Sequence, residues 1–101
     1  MPRLSFSFEV DEDNNYYSIT AEGQRLSEAT GVYFVIWQKG NKSGTEQWLT
    51  PRCSNGDDRW SLDYQPNGSR GCTYCLHVYK NKNKYVDEAE FYVKDRADYY
   101  Y

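Results

Sequence analysis

Two short runs of β-branched and aromatic residues constrain the fold of this chain more than any other feature. Val32-Tyr33-Phe34-Val35-Ile36-Trp37 and Gly71-Cys72-Thr73-Tyr74-Cys75-Leu76-His77-Val78-Tyr79 are bounded by turn residues and too short to be architectural helices, so both read as strands. Successive side chains of a strand point to opposite faces. Val32, Phe34 and Ile36 then share one face of the first run, and Tyr33, Val35 and Trp37 the other. In the second run Tyr74, Leu76 and Val78 oppose Thr73, Cys75, His77 and Tyr79. Each strand has one aliphatic-rich face suited to a core and a second face that still carries large aromatics, which is more than folding alone requires.

The rest of the chain repeats this grammar at intervals of about ten residues, the spacing of a sandwich or barrel. Leu4, Phe6, Phe8 and Val10 alternate with Ser5, Ser7 and Glu9, and the acidic Asp11–Asn15 segment follows as a loop. Tyr17, Ile19 and Ala21 form a second alternating strand, and Gln24–Thr30 has room for one helical turn. Lys39–Gly44 reads as an exposed loop before a short strand around Gln47–Thr50, which Pro51 stops or leaves at an edge. Ser54–Asp58 and Gln65–Ser69 are turns on either side of a strand holding Trp60, Leu62 and Tyr64. Lys80–Lys84 reads as a hairpin loop, and Ala89, Phe91 and Val93 give the last strand. Seven strands without an amphipathic helix make an all-β, immunoglobulin-like antiparallel sandwich over residues 1–94, with a tyrosine-rich tail at 95–101. The expected core is Val32, Phe34, Ile36, Leu62, Tyr74, Leu76, Val78 and Phe91, with Trp60 beside Leu62. Tyr74 follows a turn and is expected to tie a neighbouring loop down through its hydroxyl.

Composition narrows the function classes. The chain has 101 residues, enough for one domain, and 12 basic against 15 acidic side chains give a net charge of −3. That balance makes no electrostatic case for nucleic acid or an anionic membrane. No apolar run approaches the roughly 20 residues of a membrane span, and the first residues do not read as a signal peptide.

Chemistry-bearing residues are few. His77 is the single histidine, and Cys53, Cys72 and Cys75 are the only cysteines. Free thiols, or one disulfide from Cys53 to Cys72 or Cys75, are the two readings of an odd, sparse count. Cys75 and His77 share a strand face, yet nothing resembles a nucleophile elbow, so the chain is not expected to be an enzyme. Cys53, Cys72, Cys75 and His77 have the right number and type for structural zinc. Residues three apart on a continuous strand face opposite ways, however, so no metal or other cofactor is expected.

The remaining signal is aromatic. If the strands at 32–37, 72–79 and 88–93 form one sheet, its outer surface presents Tyr33, Trp37, His77, Tyr79 and Tyr92, and Trp48 joins from an edge strand, where packing contributes least. Rings of this kind offer apolar faces to the CH-bearing side of a sugar, and their polar tips hydrogen-bond hydroxyl or acetamido groups; they equally suit a protein contact. The same residues could instead be cross-strand pairs that stabilise the sheet.

From about Tyr17 to Val93 the chain resembles a GBS Bsp-like repeat, an immunoglobulin-like module of bacterial surface and cell-wall-associated proteins. The residues that carry the resemblance are Val32-x-Phe34-x-Ile36-Trp37, Gln47-Trp48, Asp58-x-Trp60, Gly71-x-x-Tyr74-x-Leu76-His77-Val78-Tyr79 and Phe91-x-Val93. The three cysteines depart from that pattern. The resemblance implies a non-catalytic binding or adhesion module at the cell surface, extracellular and part of a larger multidomain protein. Its partner would be cell-wall glycan or another protein; a structural spacer is the alternative.

Overall fold

A computed structural model of the chain describes residues 5–11, 16–26, 29–53 and 59–95, with the backbone alone for 5–11 and Gln24. In chain order the strands are β1 (Ser5–Asp11), β2 (Tyr16–Glu22), β3 (Val32–Gln38), β4 (Gln47–Leu49), β5 (Arg52–Cys53), β6 (Arg59–Tyr64), β7 (Cys72–Lys80) and β8 (Lys84–Val93). A 3₁₀ turn at Gln24–Leu26 and a single helical turn, α1 (Lys42–Thr45), are the helical pieces among the described residues. The strands form two antiparallel sheets, ordered β1-β2-β6-β5 and β4-β3-β7-β8. That is the A-B-E-D sheet facing the C′-C-F-G sheet of an immunoglobulin-like sandwich.

The two central strands behave as their alternation predicts. β3 pairs with β7 so that Phe34 lies opposite Val78 and Ile36 opposite Leu76; Tyr74 in turn lies opposite Phe91 on β8. These side chains meet Tyr17, Ile19 and Ala21 of β2 and Tyr64 of β6 in one core, closed by Leu26, Val32, Val86 and Val93. Trp60 and Leu62 pack against that core half-buried rather than lying inside it, because β6 has only the two-residue β5 on its far side.

Four differences from the sequence reading have local causes. β5 is too short to carry a pattern and follows Pro51 directly. The expected Lys39–Gly44 loop turns into α1 from Lys42, which Thr45 fixes: its hydroxyl donates to the Asn41 carbonyl at 2.6 Å and accepts the Gln38 N–H at 2.8 Å. The last strand begins at Lys84 rather than near residue 88. Tyr79 pairs with Tyr85 but Val78 with Asp87, so Val86 is an extra residue that shifts the alternation, and Val86 and Phe91 both face inward. The side chains of Phe6, Phe8 and Val10, residue Leu4, the acidic loop 12–15, the turn 54–58 and the tail beyond Asp95 lie outside the described residues.

Tyr74 holds the β6–β7 connection as expected. Its hydroxyl donates to the Ser69 carbonyl at 2.9 Å and accepts the Gly68 N–H at 3.1 Å. Gln38 Oε1 accepts the Ser69 N–H at 2.9 Å, and a Cβ at Gly68 would meet the Gln38 and Tyr74 side-chain oxygens at 2.5 and 2.7 Å. Burial pushes the Tyr74 phenol above its ordinary pKa, so it stays a hydrogen-bond donor. Tyr74→Phe is expected to cost about 1–2 kcal/mol by leaving the loop amide and carbonyl without their partner, read as a lower urea midpoint with unchanged slope.

Candidate functional site: the outer face of the β4-β3-β7-β8 sheet

The pairing that buries Phe34, Ile36, Leu76 and Val78 turns their alternate neighbours outward. On the outer face Val35 lies opposite Trp48 of β4 and His77 of β7, Tyr33 opposite Tyr79, and Trp37 opposite Cys75. Along β8 the outward positions are Tyr85 opposite Tyr79, Glu88 opposite His77, Glu90 opposite Cys75 and Tyr92 opposite Thr73.

These rings form one contact network. Trp48 stacks on Tyr79 with ring centroids 5.2 Å apart and meets Tyr33 edge-on at 5.7 Å. Since β4 and β7 are separated by β3, their backbones lie about 9–10 Å apart, so the indole must lean across β3 to reach Tyr79. Val35 is consequently only 2% exposed although it points away from the core. His77 sits edge-on to Trp37 at 4.6 Å and to Tyr85 at 5.7 Å, and Tyr79 meets Tyr85 at 6.0 Å. Lys42 of α1 places its ammonium 4.5 Å from the Trp37 ring centroid.

The face therefore has two tiers. Val35 and Trp37, the latter 9% exposed, are its floor; Trp48, 50% exposed, rides above with Tyr33, Tyr79 and Tyr85. Of the six residues expected at the site, Tyr33, Trp37, Trp48, His77 and Tyr79 come together, with Trp37 as support more than contact. Tyr92 is exposed but stands apart, beyond Glu88 and Glu90 on β8. Tyr85 is an addition that the sequence could have supplied: a hairpin loop centred on Lys82 places Tyr85 across from Tyr79.

Polar groups rim the rings. The Tyr85 hydroxyl donates to Glu88 Oε1 at 2.7 Å, and His77 Nε2 lies 3.2 Å from Glu88 Oε2. The Tyr85 phenol is pushed up from 10.0 to about 12, first by that hydrogen bond and then by burial. Because the folded-state pKa is raised, the stability this bond gives is complete below the unfolded phenol's pKa and is lost as pH rises toward about 12. Glu88→Gln is expected to return the Tyr85 midpoint toward 10.0, measured by NMR titration with ring-labelled tyrosine. Lys39 pairs with Glu90 at 3.0 Å, and the Cys75 thiol reaches Glu90 Oε2 at 3.8 Å. Burial, then the Glu90 carboxylate, push the Cys75 thiol up, the opposite of what a thiolate nucleophile beside His77 requires.

The three cysteines lie in separate surroundings: Cys53 exposed on β5, Cys72 packed against the core and Cys75 on the outer face. Among the described residues no three His, Cys, Asp or Glu side chains are placed to hold a metal ion, and no helix is long and apolar enough to cross a membrane.

The opposite sheet is different in kind. Its outward residues on β2 and β6 are Ser18, Thr20, Glu22, Arg59, Ser61 and Asp63, with Tyr16 at the margin. Ser18 donates to Asp63 at 3.2 Å and Arg59 pairs with Glu22 at 3.8 Å. A polar groove of about 360 Å³ there is lined by Ser18, Thr50, Arg52, Ser61, Leu62 and Asp63, none of which carries a ring.

No protein-family model, curated protein or solved structure matches the chain.

Proposed function

We propose that this domain is a non-catalytic binding module of a bacterial surface or cell-wall-associated protein, and that the outer face of β4-β3-β7-β8 takes cell-wall glycan. The observation that carries this reading is the asymmetry of the two outer faces. The described outward side chains of β2 and β6 meet water with hydroxyls and an ion pair, whereas the other sheet carries a contiguous cluster of rings with Trp48 half exposed above it. Exposed apolar surface of this extent marks interaction sites more often than accident. Rigid rings with polar tips suit a sugar, whose CH face stacks while its hydroxyls bond to the tyrosine and histidine edges. The resemblance to GBS Bsp-like repeats supplies the cell-surface context and the larger protein to which such a module would belong.

One observation favours the spacer reading instead: the rings pack on one another and cover Val35 and Trp37, so part of the cluster serves the sheet itself. Co-sedimentation with purified peptidoglycan, followed by titration with soluble peptidoglycan fragments, separates the two. Saturable binding is expected. A domain that stays folded and binds neither form is a spacer or a protein-contact domain.

A further inference from the structure

Among the described residues Glu88 is the one ionised side chain on the aromatic face that is both held in place and left open. Tyr85 and His77, two members of the ring cluster, each contact a different carboxylate oxygen, at 2.7 and 3.2 Å. The hydrogen bond from Tyr85, then the proximity of His77, keep the carboxyl below the usual carboxylate range. Its side chain is nevertheless 58% exposed.

The other charges near the face are already engaged. Lys39 is bonded to Glu90 at 3.0 Å; Lys42 is 3.6 Å from Glu46 and lies over Trp37. Lys80 donates to the Arg25 carbonyl at 2.7 Å, and Arg25, whose charge reaches Tyr85, makes no ion pair with Glu88. Among the described residues the only ion-pair partner of Glu88 is His77, charged only when protonated. A bound cation would therefore meet an ionised carboxylate without displacing a Lys or Arg. The protein already places one ammonium, that of Lys42, over a ring of this same sheet face.

We propose that Glu88 receives an ammonium group of the ligand, so that the face selects saccharides bearing a free, protonated amine over their N-acetylated counterparts. This rests on the reading of the face as a glycan surface and names the chemistry that surface prefers.

The test is calorimetric titration of the whole domain with a glucosamine oligosaccharide and an N-acetylglucosamine oligosaccharide of equal length. The wild-type protein is expected to bind the free-amine form about fivefold more tightly near neutral pH, the size of an exposed charge pair. Mild alkali should abolish the preference, because the amine loses its proton while Glu88 keeps its charge. Glu88→Gln, which removes the charge, should bind both forms equally, the loss falling on the free-amine form. Glu90→Gln, whose carboxylate serves Lys39, should keep the preference. Equal binding of both sugars by the wild type, or a preference that survives Glu88→Gln or vanishes in Glu90→Gln, overturns the role of Glu88 while leaving the glycan surface standing. Binding of neither sugar overturns both.

Discussion

Phe34→Ala and Leu76→Ala are each expected to remove about 2–5 kcal/mol of stability. Both side chains are fully buried, and they sit on adjacent central strands of one sheet facing β2 across the core. Neither site can collapse easily. Phe34 is flanked by Val78 and Leu49 on the two neighbouring strands, and Leu76 by Ile36 and Ala89, so the backbone ladders on both sides hold the cavity open. A domain of this size has about 5–15 kcal/mol in total, so either variant should be largely unfolded at a urea concentration the wild type tolerates. Urea titration followed by tryptophan fluorescence reads the loss directly. A loss below about 1 kcal/mol at both positions would mean that the two sheets do not pack as described.

Trp48→Ala is expected to act on two quantities at once. The ring is half exposed, stacks on Tyr79 and shields Val35. Its removal should lower stability by about 1 kcal/mol, in the range of a lost aromatic pair. Glycan binding, measured per folded molecule, should fall by about 1–2 kcal/mol or more, which is five- to thirtyfold in Kd. Edge-strand position alone suggests that Trp48 would be dispensable for packing; its reach across β3 corrects that. The informative quantity is therefore the ratio of the two losses. Tyr92→Ala is the matched comparison, since Tyr92 is exposed on the same sheet but takes no part in the ring contacts, and it should leave both quantities nearly unchanged.

How much of this was legible in the sequence depended on whether a residue's role is set by its neighbours along the chain or across the sheet. The alternation in Val32–Trp37 and Cys72–Tyr79 fixes which side chains face inward, because the period of a strand is two, and every inward residue named from it is buried. The Tyr74 hydroxyl and the hairpin loop at Lys80–Lys84 are equally local and equally readable. The bulge at Val86 is not, since it moves Val86 out of phase with Ala89, Phe91 and Val93 and hides the first half of β8, Tyr85 included. Trp48 shows the same limit. Its strand, its edge position and its exposure follow from Gln47–Thr50 and Pro51, but its contact with Tyr79, two strands away, follows only from the sheet order. Nothing in the local sequence singles out Glu88, and only the register that sets it opposite His77 makes it part of the face.

The most direct test of the binding face is residue-resolved NMR of the folded domain titrated with a soluble peptidoglycan fragment. The shifts should concentrate on the Trp48 indole and on the ring signals of Tyr33, Tyr79, Tyr85 and His77, with Ser18, Thr20 and Ser61 of the opposite sheet unmoved. Shifts that fall instead on the β1-β2-β6-β5 sheet, or none at a saturating concentration of fragment, would contradict it.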